Sequence, residues 1–282
     1  MLQSVALLLL NQVAQPQVKI EIQGNYRIIT ANGIPDHATG QFPNRNNPNS
    51  IAPQRYSFRI PAKPTENETA TPLRHQDFGI ALNGVPFDPL TAEYWNRDRS
   101  SGWNEEAIYK GVGGLGIDNA NAHVQPTGAY HYHSVPKPLI SSKNNMIQIG
   151  WAADGFPIYG PYGPSNAMDP KSPFKTLKGS YQLKEGTRPS GPGGAYDGKY
   201  VQDWKYVHKS GDLDECNGRF GITPEFPNGT YYYVVTEDYP WIPRNFRGTP
   251  DPSFQRRPGP PPGGRGRGGG TSHTHNGSTH SH

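Results

Sequence analysis

Three histidines crowd into one short stretch, Asn121-Ala122-His123-Val124-Gln125-Pro126-Thr127-Gly128-Ala129-Tyr130-His131-Tyr132-His133. Neutral imidazole is the commonest protein ligand for transition metals. Three of them around one ion, with a position left open, suit zinc as well as copper, iron or nickel. Whether His123, His131 and His133 can meet depends on the chain between them. Pro126 suits the first central position of a type I turn and Gly128 the left-handed residue after it, so a three-residue hairpin loop flanked by Gln125 and Ala129 is expected. That loop pairs His123 with His131. Side chains alternate along a strand, so His131 and His133 share one face with the cross-strand His123, and Tyr130 and Tyr132 take the other. The pattern supports a second reading equally: imidazoles that stack and hydrogen-bond across a sheet without any ion.

A fourth ligand or a general base is sought first at Asp154, in Trp151-Ala152-Ala153-Asp154-Gly155, and after it at Cys216 or His208. Copper and zinc are the expected metals. Other chemistries lack their residues. No Gly-x-Ser-x-Gly elbow, no phosphate-cradling Gly-x-x-x-x-Gly-Lys-Ser/Thr and no His-Glu-x-x-His occurs. The acidic knot of Asp212, Asp214 and Glu215 fails as a calcium loop of the EF-hand type: Asn217 stands where Gly is needed and Thr223 where Glu is needed. It reads instead as a turn whose side chains bond their own backbone. Trp151, Tyr159, Tyr162, Tyr231, Tyr233 and Trp241 offer an alternative function, a non-catalytic cell-surface module that stacks aromatic rings on polysaccharide or meets a protein partner, with structural histidines. Alternation along Tyr231 to Val235 requires part of that row to be buried.

The elements that must position these residues follow from composition. With 34 Gly, 30 Pro and only 33% hydrophobic residues, long helices are disfavoured, and 16 Tyr with 5 Trp supply strand propensity and core area. The expected fold is β-rich, mainly antiparallel, sandwich-like or partly open, with few short helices and long loops. Val18-Lys19-Ile20-Glu21-Ile22 and Tyr56-Ser57-Phe58-Arg59-Ile60 alternate as strands with one buried face. Gly79 to Pro86 reads as a strand entering an Asn83-Gly84 turn, and Met146 to Trp151 and Gly229 to Thr236 as further strands. Asn104 is expected to cap a short helix over Glu105 to Tyr109.

Several ordered blocks resemble the YHYH-domain family. They are Tyr130-His131-Tyr132-His133 itself, Gly79-Ile80-Ala81-Leu82-Asn83-Gly84-Val85-Pro86-Phe87-Asp88, Gly150-Trp151-Ala152-Ala153-Asp154-Gly155-Phe156-Pro157-Ile158-Tyr159-Gly160, Asp212-Leu213-Asp214-Glu215-Cys216-Asn217-Gly218-Arg219 and Thr230-Tyr231-Tyr232-Tyr233. The resemblance covers roughly residues 50 to 250. It implies an exported protein of a bacterial and eukaryotic family with no assigned reaction, and it supports the weight placed on the histidines without naming their chemistry.

The ends differ in character from the middle. Residues 1–15 hold a short apolar stretch ending in Ala14, as an export signal would, though no Lys or Arg precedes it. Residues 16–250 are expected to form a single domain, and 251–282 a disordered Pro/Gly/Arg- and His-rich tail. The tail carries His273, His275, His280 and His282. Setting aside Arg256, Arg257, Arg265 and Arg267 leaves 23 bases against 23 acids, so neither nucleic acid nor an anionic membrane is an expected partner. No integral membrane span is expected. A secreted, periplasmic or cell-surface location follows, with a glycan or small molecule as candidate ligand. Cys216, the only cysteine, excludes an internal disulfide.

Overall fold

The computed structural model describes residues 14–109 and 115–256; the expected export signal over 1–13 and the tail from 257 lie outside the described residues. The described residues are β-rich, with mostly antiparallel sheets and no closed barrel among them. Its helices among the described residues are short 3-10 turns, each of three residues. None is long and apolar enough to cross a membrane.

A three-stranded antiparallel meander opens the fold: β1 (Val18–Gln23), β2 (Tyr26–Ala31) and β3 (Tyr56–Pro61). The principal sheet has eight strands. Their spatial order is Gly218–Gly221, Thr230–Val234, Pro157–Tyr159, Gln148–Ala152, Gly79–Ala81, Pro86–Phe87, Tyr130–Tyr132 and Ala122–Val124. Two contacts in it are parallel, Ile158 beside Tyr233 and Phe87 beside Tyr132. The second of these matters for the site, because it carries the chain after Phe87 alongside the histidine hairpin.

One hydrophobic core joins the meander to the principal sheet. Ile29, Phe58 and Ile60 pack with Phe78, Ile80, Phe87, Ile158 and Phe246. Each such side chain contributes about 1.5–3 kcal/mol through the water it sheds. Phe254 stacks on Phe58 with ring centroids 4.1 Å apart. The chain therefore remains packed as far as Phe254, past position 251 where the sequence places the start of the tail. Tyrosine replaces much of the usual aliphatic core, and the hydroxyls are bonded rather than stranded: Tyr130 donates to Asp118 at 2.7 Å, Tyr159 to Glu225 at 2.6 Å and Tyr231 to Asp214 at 3.0 Å. A buried hydroxyl without such a partner would oppose folding.

Two local expectations are corrected. Asn104 to Tyr109 is not a helix. The Asn104 side-chain amide donates to the carbonyls of Thr91 and Glu93, Glu105 bridges to Tyr200, and Glu106 is buried in an ion pair with Arg244 at 2.7 Å. A helix of so few residues has too little cooperativity to resist these tertiary bonds. β1 also differs, since among the described residues all six of its side chains are exposed and no face of it is buried. Its alternation is real, but the strand lies at the free margin of its sheet.

Candidate metal centre

The hairpin folds as its turn residues dictate. Gln125 N donates to Ala129 O at 2.9 Å, Gly128 N donates to Gln125 O at 2.8 Å, and Gly128 has φ of +84°. A side chain there would be strained by that φ and would meet the Cβ of Ala52. The register pairs His123 with His131. His133 lies just past the strand and is held by its own N–H, which donates to Asn121 O at 2.8 Å. On the opposite face the Tyr132 hydroxyl meets Nε2 of His37 at 2.7 Å and the Asn83 amide at 2.9 Å, fixing the strand from behind.

The three imidazoles converge through one kind of atom. Nε2 of His131 and Nε2 of His133 are 2.9 Å apart, and Nε2 of His133 and Nε2 of His123 are 3.1 Å apart. All three ligand atoms lie within 4.8 Å of one another, forming the one such group found among the described residues. Nδ1 of His123 lies 2.9 Å from the carbonyl of Leu115, and Nδ1 of His131 lies 3.1 Å from that of Ala129. A carbonyl only accepts, so both rings carry their proton on Nδ1 and turn an Nε2 lone pair inward. Nδ1 of His133 is buried with no partner among the described residues.

Burial sets the charge of the cluster. His131 and His133 are each 2% exposed, and His123 is half-buried. Desolvation, reinforced by the neighbouring imidazoles, holds His131 and His133 well below the ordinary imidazole range, and burial lowers His123 too. All three imidazoles are neutral near pH 7. The cluster opens onto a cleft of about 450 Å3 whose walls include Asp88, Glu93, Gln125 and Arg256. Asp88 Oδ2 stands 3.8 Å from His131 Nε2 and accepts from the Gln125 amide at 3.2 Å. Arg256 spans buried Asp88 and half-buried Asp77, the latter at 2.6 Å. Burial raises both acids, Asp77 up to about 6, against the opposing pull of Arg256.

Asp154, sought as fourth ligand or general base, is placed elsewhere. Its carboxylate is buried against the Tyr233 hydroxyl and accepts from Gly248 N at 2.9 Å, and it is not among the converging ligand atoms. His208 lies beside Tyr206, and Cys216 is buried in the core. The acidic knot is a turn, as expected: Asp214 Oδ1 accepts from Cys216 N and Gly218 N. Of the aromatic row, Tyr159, Tyr162, Tyr231 and Tyr233 are buried, whereas Trp151 and Trp241 are half-buried.

Asp88, Asp77 and Arg256 are the residues that motif reading missed. Asp88 closes the Gly79 to Asp88 block, so its position was in view, but only the parallel contact of Phe87 with Tyr132, continued by Asp88 N donating to Tyr132 O at 2.9 Å, brings it to the histidines. No spacing rule anticipates a parallel contact between such separate segments.

No curated protein and no solved structure matches this chain. The model of the family described as YHYH protein matches residues 57–248, a span containing the hairpin, Asp77, Asp88 and Asp154 but ending before Arg256. On that match, the chain belongs to the YHYH family.

Proposed function

We propose that this is an exported metal-binding protein in which His123, His131 and His133 hold one transition-metal ion, copper or zinc, with a coordination position facing the cleft. The observation that carries the reading is the inward convergence of three Nε2 atoms, two of them on rings whose Nδ1 is already committed to a backbone carbonyl. Without a cation the arrangement is unfavourable. If His133 carries its proton on Nε2, it can donate to only one of its two neighbours, and its own Nδ1 is left a buried acceptor without a donor. If the proton sits on Nδ1, that N–H is the orphan and three lone pairs face one another. Either case costs about 1–3 kcal/mol for each stranded group. One bound ion satisfies all three lone pairs.

The distances fit. Nitrogens at about 2.0–2.1 Å from one ion, subtending angles from about 90° to 109°, lie roughly 2.9–3.4 Å apart. The carbonyls behind His123 and His131 are the usual outer partners of metal-bound imidazoles. Half-buried His123 lies on the route by which an ion or ligand would enter. Metal binding is the function proposed; Asp88 is the acid best placed to accept a hydrogen bond from a water at the open position. Export rests on the apolar stretch of residues 2–14.

The test is elemental analysis of the full chain in which His273, His275, His280 and His282 are replaced by Ala, so that tail histidines contribute no metal. Near-stoichiometric copper or zinc is expected, and its loss on adding His123→Ala and His131→Ala while cooperative unfolding persists. Protein that stays metal-free after reconstitution with either ion would refute the reading.

A further inference from the structure

We propose that β1 is the seam of a homodimer, pairing antiparallel with its own copy about Ile20. Among the described residues the strand is the outermost of its sheet, bonded on one side to β2, and all six of its residues are exposed. The direction of its free hydrogen-bonding groups follows from the ladder. Asn32 N donates to Gln17 O at 3.0 Å, so Gln17, Lys19 and Glu21 direct their backbone groups to β2. By the alternation of an antiparallel ladder, the N–H and C=O of Val18, Ile20 and Ile22 point away from it.

The side chains are arranged unlike those of a protected edge. Natural edge strands carry inward charges, prolines or bulges that discourage pairing. Here Val18, Ile20 and Ile22 form an apolar row, 41%, 37% and 60% exposed, on the face that β2 shares with buried Ile29. The other face carries Lys19 and Glu21, one on each side of Ile20, bonded to each other at 2.8 Å.

This order is self-complementary when a second copy runs antiparallel. With Ile20 opposite the partner's Ile20, Val18 faces the partner's Ile22 and Lys19 faces the partner's Glu21. Every outward N–H and C=O then meets an outward group. Sliding by one residue destroys that phase. Sliding by two restores it but sets Lys19 against the partner's Lys19 or Glu21 against the partner's Glu21, and like charges directly opposite destabilise a sheet. One register therefore satisfies both backbone and charge, and it is two-fold symmetric, as closed dimers are. The occupant committed to is a second copy of this chain. A seam this short lies at the small end of stable interfaces, so a dissociation constant in roughly the micromolar range is expected.

Sedimentation velocity on the full chain across the micromolar range, with EDTA present to prevent metal bridging by the tail, tests the seam. The unaltered protein should dimerise as concentration rises. Lys19→Glu and Glu21→Lys alter only exposed side chains, and each should weaken self-association at least about tenfold by setting like charges opposite one another. Mixing the two variants should restore a dimer, because each then presents the charge the other lacks. Ile20→Pro should abolish pairing while leaving every bond to β2, since the N–H it removes points outward. A monomer at all concentrations, charge variants that dimerise as tightly as the parent, or a mixture that fails to associate would each overturn the proposal.

Discussion

Asp88 Oδ2 stands 3.8 Å from Nε2 of His131 and at the same time pairs with the guanidinium of Arg256, so the carboxylate nearest the histidines is tethered to the last described turn of the chain. That arrangement separates the ligands from their surroundings and gives the proposed site a graded response to mutation.

Asp88→Asn should leave metal stoichiometry intact at saturation and weaken affinity about 10–100-fold, the usual effect of removing an outer partner. Competition titration against a chelator measures this. A loss as complete as that of His131→Ala would make Asp88 a direct ligand instead.

Arg256→Gln should destabilise the fold by about 1–3 kcal/mol at pH 8, because buried Asp88 and half-buried Asp77 then lack their cation. The penalty should shrink at pH 5. Asp77 is already raised to about 6 beside Arg256, and losing that cation raises it further, so protonation relieves the variant on acidification. Urea midpoints at the two pH values supply the comparison.

The pH dependence of the metal-free protein should carry two opposed contributions. His123, His131 and His133 are lowered from 6.5, so the unfolded chain binds protons that the folded chain refuses; their contribution is present above about pH 6.5 and is lost on acidification. Asp154 runs the other way. Burial raises it from 3.8 to about 6 despite the hydrogen bonds from Tyr233 and Gly248, so its contribution is full below pH 3.8 and disappears as pH rises through about 6. Asp154→Asn should make the second slope shallower, leaving the share of Asp77, which burial raises likewise to about 6, and keep the first. Tyr233→Phe, which strips a donor from that carboxylate and an acceptor from Arg247 N, should cost about 1.5–3 kcal/mol near neutral pH. Denaturation midpoints collected from pH 4 to pH 8 would show an unchanged profile in Asp154→Asn if the assignment were wrong.

Cys216 should be inert to thiol reagents at pH 8 until the chain unfolds. It is fully buried, and burial pushes its thiol well above the ordinary range, with Asp214 adding to the effect. Absorbance of released thiolate with and without denaturant measures this, and rapid labelling of native protein would contradict it.

The histidine hairpin was legible in the sequence because everything that shapes it is local. Pro126 and Gly128 choose the turn, the turn sets the register, and a period of two assigns each face, so the His123–His131 pair follows from thirteen consecutive residues. The strands over Gly79–Ala81, Gln148–Ala152 and Thr230–Val234 were legible for the same reason, and the β-rich class followed from Gly, Pro and Tyr content. What tertiary structure alone decided is whatever depends on segments distant in sequence. The parallel contact of Phe87 with Tyr132 placed Asp88 rather than Asp154 beside the histidines, and the packing of Phe254 on Phe58 brought Arg256 back to Asp77 and Asp88. The ion pair of Glu106 with Arg244 overrode a helix that capping residues favoured, and the position of β1 at a sheet edge left an alternating strand uncovered. Turn geometry and side-chain period are short-range properties carried by neighbouring residues, whereas burial and ion pairing depend on which surfaces the whole chain brings together.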